Sequence, residues 1–173
     1  MNFLKKQSVA WVITLVMVIA AIGIGRARAN TGTPAPGPAP SADAYYVYDN
    51  AGVLTDSEIT RLSNLNRALM DDMNVVVACV TADHVRSDLY EYALDQAEKL
   101  GLRENDFIVV LDISGENYWL VQGAGLTGLF TDGDCADYAR DYMEKDFARG
   151  RYGDALLSLA NALSDWYYDH YQP

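Results

Sequence analysis

Carboxylates are the residues of this chain whose type and spacing are best suited to chemistry. Asp106 precedes an apolar run, Asp132 and Asp134 open a predicted helix, and between them in sequence lies the glycine signature Gln122-Gly123-Ala124-Gly125-Leu126. Hard cations need several oxygen ligands, and glycines let backbone approach closely, so Asp106, Asp132 and Asp134 are candidate ligands for calcium or magnesium. Asp49 is a fourth candidate, because it opens Asp49-Asn50-Ala51-Gly52-Val53-Leu54 at the end of a β-prone run, where open sheets hold ligands. Each also has a structural reading: Asp132 or Thr131 caps a helix, the glycines make a tight turn, and Asp49 closes an Asx-type turn.

Other chemistry fits poorly. Cys79 and Arg86 are separated by six residues, and Cys135 and Arg140 by four, neither being the spacing of a thiol phosphatase. His84 and His170 are too few and too far apart for a zinc site by spacing, and no nucleophile-elbow signature accompanies any serine. Cys79 falls within a strand and Cys135 at a helix start, so buried, unlinked thiols are expected, although an outward-facing compartment permits a disulfide.

The elements that must position these residues follow from punctuation and periodicity. Tyr45-Tyr46-Val47-Tyr48 is a short β-prone run. Thr55 with Glu58 three residues on forms a capping box, Leu54 and Ile59 make the hydrophobic staple, and Ile59, Leu62, Leu65 and Leu69 mark the buried face of a first helix. Residues 75–80 and 107–111 are apolar throughout, as strands covered on both faces are. The helix between them, about 87–100, makes them a right-handed parallel pair. The turn at Ser114-Gly115-Glu116-Asn117 returns residues 118–121 antiparallel, and helices at about 132–148 and 152–168 complete the domain. The predicted class is α/β: an α/β/α sandwich with a small mixed sheet, a parallel pair plus an antiparallel strand, and helices on both faces. This topology sorts the acids onto two edges. Asp49, Asp83, His84 and Asp112 fall at the exit end of the parallel strands, where the signature Phe147-Ala148-Arg149-Gly150-Arg151-Tyr152 should return. Asp71, Asp72, Asn105, Asp106, Asp132 and Asp134 fall at the opposite edge with the glycine signature. The tail Trp166-Tyr167-Tyr168 with Tyr171 is read as the end of a core helix, the alternative being an exposed aromatic patch.

Taken in order, the three signatures and this element string resemble the TPM domain family over about residues 45–165. The matching positions are Asp49, Ala51 and Leu54, then Gly123, Gly125, Leu126 and Asp132, then Phe147, Gly150 and Tyr152. The chain departs from the family pattern at Met73-Asn74, where Gly is frequent, at Asn105-Asp106, where Asn-Gly is frequent, and at Thr127, where an acid is frequent. The resemblance implies an extracytoplasmic, often membrane-tethered domain, with calcium binding and phosphatase activity in plant members and assistance to membrane protein complexes in others.

The first 44 residues agree with such a placement. Residues 9–25 are uncharged and apolar behind Lys5 and Lys6, so residues 1–29 read as a single-pass membrane anchor or, with Ala27-Arg28-Ala29 as a cleavage site, as a signal peptide whose removal would release the protein. Residues 30–44 hold four of the five prolines and form a semi-extended linker, leaving 45–171 as the folded domain. With 13 Lys and Arg against 24 Asp and Glu overall, and with Lys5, Lys6, Arg26 and Arg28 all lying before residue 30, the remainder holds 9 cations against 24 acids, a balance of −15. That charge repels nucleic acid and attracts cations or basic partners. Two functions follow as expectations. The first is a tethered, non-catalytic accessory module that binds divalent cations and docks onto a membrane or envelope protein. The second is a metal-dependent acid phosphatase of low turnover, which the lack of an obvious local Arg or Lys pair at either acidic edge, apart from Arg103 and Arg86, disfavours.

Overall fold

A computed structural model describes residues 44–171; the predicted anchor or signal and almost all of the linker lie outside the described residues. Four strands, β1 (Val47–Asp49), β2 (Val77–Ala82), β3 (Phe107–Asp112) and β4 (Asn117–Gln122), form one sheet in the order β1-β2-β3-β4. The pairs β1–β2 and β2–β3 are parallel and β3–β4 is antiparallel, so the β-prone run at Tyr45–Tyr48 extends the expected parallel pair to three parallel strands.

Helix α1 (Asp56–Met73) begins at the predicted capping box, in which the Thr55 hydroxyl accepts from the Glu58 N–H and the Glu58 carboxylate accepts from the Thr55 N–H. It ends at Asn74, whose φ of 56° and ψ of 38° are left-handed. Gly is the residue that the resemblance leads one to expect hereabouts; Asn is among the few others that adopt the conformation readily. The ladder of β2 starts two residues later than the apolar run. The Val75 N–H bonds the Leu69 carbonyl at the helix end, and the Val76 N–H bonds the Asp106 side chain.

Alternate strand residues feed two cores. On one face Val77, Cys79, Phe107, Val109, Leu111 and Leu120 pack beneath α1, α3 (Asp132–Tyr138) and α5 (Tyr152–His170). On the other face Ala78, Val80, Ile108, Val110 and Val121 meet only α2 (Leu89–Lys99), through Leu89 and Ala93. The helix expected over 132–148 is one rod of three segments. After α3 the six residues Ala139–Glu144 widen into a π-helix, and α4 (Lys145–Phe147) resumes the ordinary turn. Phe107 anchors the larger core, its ring lying 5.0 Å from Phe130, 5.9 Å from Trp166 and 5.5 Å from Tyr167. Trp166 and Tyr167 are thus core residues as expected, whereas Tyr168 is exposed and donates its hydroxyl to Asp72. No helix among the described residues is long and apolar enough to cross a membrane.

Candidate functional site

The two acidic edges exist, but each of the four candidate carboxylates on them has its own local task. At the exit end of the parallel strands, Asp49 Oδ1 accepts from the Val53 N–H at 3.1 Å and the Thr81 hydroxyl at 2.5 Å, and Oδ2 accepts from the Leu54 N–H at 2.9 Å. The first signature is therefore a loop closed by its own aspartate, which bonds Val53 and Leu54 just beyond the Asn50-Ala51-Gly52 turn expected of it. Nearby, Asp112 accepts from the Gly115 N–H, its carboxylate lying 3.9 Å from His84 Nδ1, and Asp83 accepts from the Ser114 hydroxyl. The third signature returns to this end as anticipated. Phe147 stacks edge-on against Tyr118, and Gly153 packs so tightly on the Glu58 carboxylate that a Cβ would collide with it.

At the opposite edge, Asp106 is only 3% exposed and fully engaged. Its Oδ1 accepts from the Val76 N–H at 2.8 Å and from Arg103 Nη2, and its Oδ2 accepts from the Arg103 N–H at 2.7 Å and from Arg103 Nε. The guanidinium also reaches Asn74 Oδ1, which ties the end of α1 to the start of β3. Asp134 completes a second capping box, accepting from the N–H and hydroxyl of Thr131. Those bonds hold its carboxyl below the usual carboxylate range. Asp132 accepts from the Gln122 amide at 2.6 Å, and Gln122 in turn accepts from the Cys135 thiol.

The glycine signature likewise serves packing. Gly123 donates to the Asp106 carbonyl and Gly125 to the Glu104 carbonyl, and a Cβ on Gly123 would strike the Glu104 backbone. Thr127, standing where the family often has an acid, bonds back to the Ala124 carbonyl. Among the described residues no three His, Cys, Asp or Glu side chains lie close enough to hold one metal ion. Asp49 is at one end of the sheet and the other three candidates at the other, so the four do not form a common ligand set for calcium or magnesium.

Both cysteines are buried and unlinked, and burial pushes each thiol up to about 12, which removes them as nucleophiles.

The feature that the sequence did not reveal is a groove of about 520 Å³ along the outer side of β4. Its floor is Leu120, Val121 and Gln122; Tyr90 and Trp119 form one wall, and Cys135, Ala136 and Ala139 the other. Trp119 and Tyr90 stack edge-on at 6.1 Å and remain 45% and 41% exposed. The small residues of the α3 rod recur at helical spacing on the side facing β4, which holds the space open. A signal was present in the unbroken apolar run Tyr118–Val121, but it could be read only once β4 was known to be an edge strand.

Residues 47–165 match the family model of the TPM domain. No curated protein matches the chain. Solved structures that share its fold include the following three. The N-terminal domain of a protein from P. gingivalis is 23% identical with a TM-score of 0.68, the match covering 77% of this chain and 90% of that one. The N-terminal domain of the cg2496 protein from Corynebacterium glutamicum is 19% identical with a TM-score of 0.58, covering 79% and 87%. The BA42 protein from Bizionia argentinensis is 15% identical with a TM-score of 0.60, covering 69% and 84%. With the family signatures at their expected places in the fold and the match spanning most of the chain, this protein belongs to the TPM domain family.

Proposed function

We propose that this protein is a non-catalytic accessory module that docks onto a membrane or envelope protein. In this reading residues 9–25 tether its folded domain outside the cytoplasm, and cleavage after Ala29 is the alternative that would release it. The observation carrying the proposal is the commitment of the candidate carboxylates to separate hydrogen-bonded roles: Asp49 to a loop, Asp106 to Arg103 and Val76, Asp134 to a helix cap. Metal-assisted phosphoryl transfer needs oxygen ligands, a water-activating base and cationic groups converging on one point, and these side chains diverge. Calcium or magnesium enters as a weak, diffuse counter-charge to the acidic surface.

Assaying the full-length protein for p-nitrophenyl phosphate hydrolysis, with and without calcium, tests this. No rate above the uncatalysed background is expected. A robust calcium-dependent rate, lost in Asp132→Ala or Asp49→Ala, would establish the phosphatase reading instead.

A further inference from the structure

We propose that the outer edge of β4 binds an extended segment of a partner protein, one that carries apolar and basic side chains and adds as a fifth strand; this rests on the docking role above and names the partner's chemistry.

The backbone sets the first condition. Gly123 donates to the Asp106 carbonyl, which makes Gly123 and Asp106 a hydrogen-bonded pair of the antiparallel ladder. By the alternation of such ladders, Val121 and Trp119 face β3, while the N–H and C=O groups of Leu120 and Gln122 point away from the sheet. No other described backbone group bonds them across that edge. Leu120 and Gln122 are nonetheless buried, and they face the groove between α2 and α3. Unpaired N–H and C=O groups along a strand edge are a ready template for another chain, and strand addition is the recurring way a partner pairs them. The contrast with β1 is instructive. That edge is only three residues long, and the chain leading into it is already bonded to α1 through Ser63 and Asn66.

The groove's size and walls set the second condition. Its 520 Å³ lies within the range of about 300–1,000 Å³ typical of binding clefts. Side chains alternating along an added strand would meet Trp119 and Tyr90 on one side and Ala136 and Ala139 on the other.

Charge sets the third. Asp132 lies at the Gln122 end of the groove, with Oδ2 not engaged by Gln122; at the other end burial first, and then the charge of Glu144 against the opposing pull of Arg140, pushes the Tyr118 hydroxyl up to about 12. Arg140, the nearby cation, is already paired with Asp137 and Asp141. The complement is a segment with lysine or arginine flanking apolar positions. A second copy of this chain brings its own β4 rim and an excess of acids, so like-charge repulsion disfavours pairing between two copies.

The test uses the full-length protein in detergent and a fluorescent peptide of alternating valine and lysine, read by anisotropy, with phosphatase activity assayed on the same sample. Saturable binding is expected, together with a change in Trp119 emission. Methylating alternate peptide nitrogens should weaken binding about tenfold through lost ladder bonds, a valine–glutamate peptide should fail to bind, and Ala136→Lys, at an exposed position, should block the groove while leaving circular dichroism unchanged. Binding that is indifferent to nitrogen methylation and to Ala136→Lys overturns the proposal. So does a dimer, seen by sedimentation, that dissociates in Ala136→Lys. Absence of both binding and hydrolysis removes the edge site and leaves the accessory role standing, whereas hydrolysis removes that role as well.

Discussion

Asp106 receives hydrogen bonds from the Val76 and Arg103 backbones and two from the Arg103 guanidinium, a set that a bound ion would have to displace. Its truncation therefore belongs to stability. Asp106→Ala leaves Val76 and Arg103 unpaired and should lower the unfolding free energy by about 3 kcal/mol, equally with calcium and with a chelator, in urea titrations. A loss confined to calcium-containing buffer would show that the carboxylate is a ligand after all. Asp134 gives a pH prediction. Its folded-state pKa is depressed by the Thr131 bonds, so the stability it contributes is complete above a pH of about 4 and is lost as pH falls through the lower folded value. Asp134→Ala should flatten the acid limb of a melting-temperature profile, and an unaltered limb would contradict the cap. The thiols of Cys79 and Cys135, both raised to about 12, should resist iodoacetamide at neutral pH until the protein is unfolded. The types of these residues were visible in the sequence, but their partners were not. Arg103 reads only as a cation close to the acidic edge, and the fold closes it onto Asp106 through both its backbone N–H and its guanidinium.

Helices and strands were more legible than their connections, because periodicity and caps are local while pairing is not. The capping box at Thr55, the covered β2 and β3, and the turn into β4 all follow from spacing. The π-helical stretch at Ala139–Glu144 did not, since its i→i+5 bonding leaves no pattern that differs from an ordinary helix. Nor did Asn66, which sits on the predicted inner face of α1 but has a polar side chain. Its amide accepts from the Val77 N–H at 2.8 Å and donates to the Val77 carbonyl at 3.0 Å, binding helix to strand. Asn66→Ala strips partners from two buried backbone groups and should cost about 2–4 kcal/mol by denaturant unfolding. A change below ~1 kcal/mol would mean that water or a shifted backbone replaces the side chain. Gly123 belongs to this scale as well, for it sets how closely the β4 exit approaches the loop before β3.

For the molecule as a whole, the sheet has a closed side and an open one. The face under α1, α3 and α5 is filled by an aromatic core, the other face is covered by α2 alone, and the outer edge of β4 runs between α2 and α3 as an unpaired margin. The acidic surface, so prominent in the composition, acts in this account as a field that selects basic partners, while the recognition itself is made by backbone and apolar side chains of β4. The most direct test follows backbone amide resonances of isotope-labelled protein during separate titrations with the valine–lysine peptide and with calcium. The account predicts that the peptide shifts Leu120, Gln122 and Ala136 saturably, while calcium produces only small, non-saturating changes spread over exposed acids. A peptide that leaves β4 unmoved, together with saturable calcium shifts at Asp106, Asp132 and Asp134, would contradict it.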